Sequence, residues 1–401
     1  MTSNKLFGNK NRIPYGRQSI AAEDIRAVVE VLKSDWLTQG PLVRRFEEAF
    51  AKTCGAPYAV AVSSGTAGLH LACLAAGFTK GDEVITSPMT FAATANAVLY
   101  VGAAPVFADI EGRFVGLNPD EIHRKTTRRT RGILNVHFAG HPSNLGPKNG
   151  FSSKKDFYVI EDACHALGAE VRSNGTWKKI GSCGNADMSV FSFHPVKHIT
   201  TGEGGMITTR RRDLYQKLLL LRSHGIEKNP DHFLDKAGRN KPWHYEMQML
   251  GFNYRITDFQ CALGLSQLGR LDESVAKRRK IAGFYKKALK NIEFLRLPEE
   301  SAECRSSYHL YALRIQYKEL KKTREEIMNS LKARGISTQV HYIPVISQPY
   351  YRKRYGLKLT DYPECARYYE EALSIPLFPS MTKADQRHVV RSLGTVLRGR
   401  A

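Results

Sequence analysis

The fold class predicted by this sequence is α/β with a mostly parallel sheet covered on both faces, and three observations predict it. Short apolar runs alternate with helical patterns through the first half of the chain. Those runs are continuously apolar, as strands buried on both faces require, and do not alternate with period two. Small and ionisable residues cluster directly after three of them, at SSGT (63–66), EDACH (161–165) and FSFHPVK (191–197). In open α/β sheets, functional groups gather beyond the carboxyl ends of the strands.

Tyr58–Val62 is the first strand. Ser63, Ser64, Gly65 and Thr66 turn the chain into an apolar helix that Gly77 ends. GDEVITSP (81–88) is a strand closed by Pro88, FAATANAVLY (91–100) a helix, and APVFADI (104–110) a strand. RGILNVHFAG (131–140) and DFYVIEDACHALGA (156–169) each begin as a strand and pass into a turn or helix start. MSVFSF (188–193) and GMITT (205–209) are two more strands, joined by HPVKHITTGEG. A long helical stretch at 256–289, apolar first and basic later, is read as the bridge to a smaller C-terminal α+β domain. The boundary is placed so that 1–265 form a large domain with an N-terminal arm and 266–401 the small one. The small domain reads as strand 307–315, helix 323–335, strand 336–342 and two further helices. Thr323 and Glu326 have capping-box spacing, and Gly335 is placed to end that helix.

No stretch approaches the roughly 18 uninterrupted apolar residues of a membrane span. The N-terminal MTSNKLFGNKNR lacks an apolar core, so no secretory signal is expected. Seven scattered cysteines without a CxxC pair suit a reduced, cytoplasmic protein, not a disulfide or zinc framework. The net charge of +22 raises the question of nucleic acid. The basic runs at 124–131, 209–212, 277–280 and 318–324 are dispersed and lack interleaved aromatics or zinc-finger spacing, so solvated surface is expected. Attraction of an anionic small molecule is the second reading.

Four features at predicted strand ends carry chemistry. SSGT offers free helix N–H groups and a glycine, which suits an anion, although Ser and Thr cap helices everywhere. Glu161 and Asp162 follow a buried strand and point to opposite faces. A carboxylate there needs a partner: a metal, a cationic ring nitrogen, or the backbone of a helix it caps. Phe91 is either core or a stacking surface. Lys197 is a solvated loop residue, a phosphate grip, or an amine whose pKa burial lowers for covalent chemistry. An anion cradle, a carboxylate, an aromatic and a lysine on one sheet edge match the needs of pyridoxal phosphate.

With these residues in view, the chain resembles the DegT/DnrJ/EryC1/StrS family of sugar aminotransferases from about residue 12 onward. The blocks that carry the resemblance are WLTQGPLVRRFEEAFA (36–51), SSGTAGLHLA (63–72), EDACHALGA (161–169), FSFHPVKHITTGEGG (191–205), RSHG (222–225) and GFNYRITDFQCALGLSQL (251–268), in the family's order. The resemblance implies a fold type I pyridoxal-phosphate transferase. It implies Lys197 as the Schiff-base lysine and Asp162 as partner of the ring nitrogen. His165 would lie near the ring and its phenolic oxygen, Phe91 would stack on it, and Thr66, Ala67 and Ser192 would hold the phosphate. Asn253 would reach the phosphate of a neighbouring subunit's cofactor, so a homodimer with composite sites is implied. Tyr15, Trp36, Leu37, Thr38, Ser64, His194, Gln339, His341 and Tyr342 are the implied substrate contacts. No metal, membrane or nucleic-acid partner is implied.

SSYHLYALRI (306–315) and GISTQVHYIPVISQPYY (335–351) look most like the branch that uses L-glutamate to aminate a UDP-linked 4-keto-6-deoxy-N-acetylhexosamine, with pyridoxamine phosphate as the intermediate cofactor form. Another nucleotide 4-keto-6-deoxy sugar, dTDP- or GDP-linked or the D-gluco UDP epimer, is the alternative. A dehydrating or deoxygenating sibling can carry histidine where this chain has Lys197. A regulator fused to a DNA-binding module would need more residues ahead of the first block than are present.

Overall fold

The computed structural model describes residues 12–146, 150–151, 156–173 and 175–398. Residues 1–11, where no secretory signal is expected, lie outside the described residues. Helices α1 (Ala22–Leu32) and α2 (Pro41–Cys54) come first. There follow β1 (Tyr58–Val62), α3 (Gly65–Ala75), β2 (Glu83–Thr86), α4 (Ala92–Tyr100) and β3 (Ala104–Phe107). Next are α5 (Pro119–Lys125), β4 (Thr130–Val136), β5 (Tyr158–Asp162), the β6 (Glu170–Ser173) and β7 (Thr176–Lys179) hairpin, β8 (Met188–Ser192) and β9 (Gly205–Thr209). The seven-stranded sheet has the order β1-β9-β8-β5-β4-β2-β3. β3, β2, β4, β5 and β8 are parallel neighbours, and β9 alone runs antiparallel, to both β8 and β1.

The continuously apolar strands are explained by two cores, one on each sheet face. Val60, Val62, Ile160, Val190 and Ile207 pack under α3 and α6 (Arg212–Arg222). Ala59, Ala61, Phe191 and Met206 pack against Phe46 and Phe50 of α2 and against α7 (Asp258–Leu268). At roughly 25 cal/mol per Å² of apolar surface, such two-sided burial is the main force holding the sheet.

The chain then forms the two-residue ladder of β10 (Ile226–Glu227) with β11 (Glu246–Met247), followed by α7 and α8 (Leu271–Leu289). The expected single helical stretch at 256–289 is thus two helices, broken at Gly269 and Arg270. α7 packs on α1 and α2, whereas Ile281, Tyr285 and Leu289 of α8 belong to a separate C-terminal core. One straight helix cannot serve both surfaces. β12 (Leu295–Arg296), β14 (Tyr311–Ile315) and β15 (Ala372–Ile375) make a small antiparallel sheet, and β13 (Cys304–Arg305) joins β6. α9 (Tyr317–Leu320) and α10 (Arg324–Ala333) follow β14; α10 carries the expected Thr323–Glu326 capping box, and Gly335 has φ +77°.

The predicted strand at 336–342 does not form. Ile336 and Gln339 make isolated bridges to Ile13 and Ser374, and residues 339–342 line the cavity described below. Three α-helices follow where two were expected: α11 (Pro349–Tyr355), α12 (Pro363–Glu371) and α13 (Lys383–Arg398). Val345, Ile346, Tyr351 and Tyr368 pack onto Met89, Phe107 and Phe138, which fastens this C-terminal segment to the large sheet. No helix among the described residues is long and apolar enough to cross a membrane.

Candidate active site

The carboxyl ends of β1, β2, β5 and β8 open onto one cavity of about 640 Å³. Ser64 and Thr66 line it from the start of α3, Phe91 from the start of α4, Asp162 from the end of β5 and His165 just beyond it, Ser192 from the end of β8, and His194 and Lys197 from the β8–β9 connection. Tyr15, Gln339, His341 and Tyr342 close it from the N-terminal segment and the 339–348 segment.

The α3 end of the cavity is shaped for close approach. Ser64 is extended, and its Oγ accepts from the Ala67 N–H at 3.0 Å. A Cβ on Gly65 would lie 2.9 Å from Ser192 Cβ, so only glycine lets this turn meet β8. Ser64, Thr66 and Ser192 therefore converge at a helix N-terminus, where the peptide dipoles favour an anion. Ala67 does not line the cavity, and its N–H is already used by Ser64.

Glu161 and Asp162 separate to opposite sides, as strand alternation requires. Glu161 pairs with His137 and accepts from Ser189 Oγ; burial pushes its carboxyl up, but these partners outweigh it and leave it below the ordinary value. Asp162 faces the cavity. Its Oδ2 accepts from Thr94 Oγ1 at 2.6 Å, Thr94 is tied to Thr90 at 2.7 Å, and Oδ1 accepts from the Cys164 N–H at 3.2 Å. Among the described residues no Lys, Arg or His pairs with it. A buried carboxylate oriented by two neutral donors and lacking a cation suits a protonated ring nitrogen.

Lys197 sits in a closed loop. Its N–H donates to His194 O at 2.9 Å, while Phe193 bonds Gly204 and receives the Thr201 N–H. Burial pulls its ammonium pKa below the ordinary lysine value, against an opposing pull from Cys164 and Asp162. The neutral amine needed of a nucleophile or base is thereby made more accessible.

His165 is buried, with Nε2 3.0 Å from the Tyr342 hydroxyl and Nδ1 without a hydrogen-bond partner among the described residues. Its ring lies 4.3 Å from that of His309. Burial, with Lys197 nearby, holds it well below the ordinary histidine value, so it is neutral at pH 7. Phe91 caps α4 and is 61% exposed, an accessible ring at the cavity and not a core residue. A glycine-bordered anion cradle, a carboxylate without an ion pair among the described residues, an imidazole nitrogen without a hydrogen bond and a lysine of lowered basicity fit pyridoxal phosphate.

Five of the predicted site residues stay outside this cavity. Ala67 lies deeper in α3. Trp36, Leu37 and Thr38 form an exposed segment beside the start of α7, where Leu37 O accepts the Asp258 N–H. Asn253 is exposed in a bridge to Ser223. Sequence reasoning misses Thr94, Thr90 and His309. Thr94 carries a usable signal: it is the first-turn hydroxyl of the helix that Phe91 begins. His309 carries none, because it sits in an apolar run with the pattern of a strand.

The buried histidines predict acid sensitivity. Burial lowers His141 and His341 to about 4, and holds His165, His198 and His309 well below the ordinary histidine value. The folded state then binds fewer protons than the unfolded chain, so stability is full above about pH 6.5 and falls as pH drops toward 4. A loss of about 3 kcal/mol for each of His141 and His341 is expected across that window. Urea unfolding from pH 7.5 to 4.5 measures it, and a flat profile contradicts the neutral-histidine picture.

The sequence profile of the DegT/DnrJ/EryC1/StrS aminotransferase family matches residues 18–394. The spore coat polysaccharide biosynthesis protein SpsC of Bacillus subtilis is 39% identical over 388 residues, covering 96% of this chain and 97% of that protein. PseC of Helicobacter pylori, an aminotransferase of pseudaminic acid biosynthesis, superposes with a TM-score of 0.85 at 30% identity, over 97% of this chain and all of PseC. The pyridoxal-phosphate form of the putative sugar aminotransferase Spr1654 of Streptococcus pneumoniae also gives 0.85, at 27% identity over 97% of this chain and 99% of that one.

Proposed function

The chain belongs to the DegT/DnrJ/EryC1/StrS aminotransferase family, and on that premise we propose that this sugar aminotransferase moves the amino group of L-glutamate to the C4 ketone of a UDP-linked 4-keto-6-deoxy-N-acetylhexosamine. The product is UDP-4-amino-4,6-dideoxy-N-acetyl-β-L-altrosamine, a precursor of pseudaminic acid. The observation that carries the reading is the full-length structural likeness to PseC.

The enzyme's cofactor is pyridoxal phosphate, which when bound supplies an electron sink for charge developing at the amino-bearing carbon. Ser64, Thr66 and Ser192 would hold its phosphate, Asp162 its ring nitrogen, Phe91 its face and Lys197 its aldehyde carbon. Lys197 Nζ takes the proton from Cα of glutamate in the first half-reaction. In the second it delivers a proton to C4 of the sugar. One amine thus serves as base and then acid, which its lowered pKa permits. Tyr342 and His165 hold each other and fix the cavity wall opposite. Gln339, His341 and Tyr15 are placed to meet the nucleotide sugar, and the +22 charge favours arrival of a diphosphate. Asn253, exposed and away from its own cavity, is assigned to the site of a second subunit in a homodimer.

The higher identity to SpsC favours a second reading, a different nucleotide-linked 4-keto-6-deoxy sugar. UDP-, dTDP- and GDP-linked 4-keto-6-deoxy sugars, each offered with glutamate and followed by mass and NMR analysis of the product, decide between them. The UDP-N-acetylhexosamine is expected to turn over at least tenfold faster, by kcat/KM, than the others. Preference for a dTDP- or GDP-linked sugar overturns the first reading.

A further inference from the structure

Behind the loop that carries Lys197 lies a second cavity of about 250 Å³, between the 17–23 segment and one face of α8. Lys197 lines both cavities, but the site described above assigns no role to this one. Its wall includes Arg278, which is only 1% exposed. Nη1 of Arg278 donates to the carbonyls of Tyr308, His309 and Leu377 at 3.2–3.3 Å, while Nε is buried with no hydrogen-bond partner among the described residues. No carboxylate pairs with this guanidinium among the described residues. Of the other cations on this wall, Arg17, Lys197, Arg270 and Lys277, the last two are held in ion pairs. Arg270 holds Asp24 at 2.6 Å and Glu23 at 3.6 Å, and Lys277 holds Glu273 at 2.6 Å.

His198, 6% exposed, lines the same cavity. Its Nε2 lies 3.2 Å from Ser307 O, a contact that requires the proton on Nε2 and leaves Nδ1 as an acceptor without a donor. Burial and the neighbouring Arg278 keep this ring from taking up a second proton at neutral pH, while Arg278 itself, pulled down to about 10, stays cationic. A buried cation without a counter-ion is costly, and so is an unsatisfied acceptor. A ligand that answers both carries negative charge and an O–H donor.

We infer that this cavity binds a phosphate-class oxoanion, its negative oxygens toward Arg278 and its remaining P–OH toward His198. The inference does not depend on which sugar the enzyme aminates. Ser274, one helical turn before Arg278, also lines the cavity, so Ser274→Glu would place a tethered carboxylate where the ligand sits.

Calorimetric titration of inorganic phosphate, sulfate and acetate into the pyridoxal-phosphate-loaded enzyme at pH 7 tests this. Phosphate is expected to bind at least tenfold more tightly than sulfate or acetate, which lack the donor proton at that pH. Arg278→Gln and Ser274→Glu are each expected to weaken phosphate binding at least tenfold, and Ser274→Glu to raise the phosphate-free melting temperature. Arg278→Gln removes a buried group that holds three carbonyls and can fail to fold; Ser274→Glu then carries the test alone. Absence of phosphate binding, unchanged binding in Ser274→Glu, or equal binding of the three anions overturns the proposal.

Discussion

Lys197→Ala is expected to lower turnover at least ~10⁴-fold, since general acid–base catalysis alone contributes about 10²–10⁴-fold and the covalent role is lost with it. The long-wavelength absorbance of a lysine-linked cofactor is expected to disappear. Stability should not fall: the amine resides where burial disfavours its charge, so its removal relieves a desolvation cost. Two measurements therefore separate a chemical role from a structural one, single-turnover transamination with glutamate and thermal melting of the cofactor-free protein. Turnover near the wild-type rate removes Lys197 from the chemistry. An inactive variant that also melts far below wild type shows that the lysine was holding the β8–β9 loop.

Asp162→Asn is expected to reduce kcat by on the order of 10²–10³-fold, the range typical for loss of one preorganised electrostatic partner. The substitution is close to isosteric. Asparagine's carbonyl oxygen can still accept from the Cys164 N–H, and its amide can donate to Thr94 Oγ1 once that hydroxyl turns its proton toward Thr90, so the side chain keeps its place. What changes is charge. Without a carboxylate, the ring nitrogen loses the partner that favours its protonated form, and proton removal from the amino acid slows. KM for glutamate should move little, because Asp162 would hold the ring nitrogen and not the donor. A large rise in KM with kcat preserved assigns Asp162 to substrate binding instead. Thr94→Val, which removes the donor to Oδ2, should show a weaker form of the same kcat defect.

The strand ends are the most legible part of the sequence. A run such as MSVFSF is continuously apolar because both of its faces are covered, and that pattern alone puts Ser192 and Lys197 at the carboxyl edge of a sheet. The separation of Glu161 from Asp162 follows equally from strand alternation. Legibility fails where a segment serves two surroundings. Residues 336–342 have the composition of a strand, but Ile336 is claimed by the C-terminal core and His341 and Tyr342 by the cavity. The stretch at 256–289 reads as one helix because its periodicity continues through Gly269, and only the competition between two packing surfaces breaks it. The contacts made by His309 are long-range, so local pattern carries no trace of them. The block containing Trp36–Thr38 implies a substrate contact, yet in a single chain this segment lies beside α7 and not at the cavity.

The 339–348 segment, pinned by the Tyr342–His165 hydrogen bond, has a consequence for how such an enzyme changes over generations. Apart from Asn253, which is assigned to a second subunit's site, the groups assigned to proton transfer and cofactor holding lie before residue 206, whereas, Tyr15 aside, the wall assigned to the sugar arrives from more than 130 residues downstream. Recombination or drift in that late segment alters what fits, while the lysine, the aspartate and their supporting threonines stay untouched. A gene for this fold can therefore sample new acceptors by exchanging one short stretch, provided the tyrosine that docks it onto the histidine is retained.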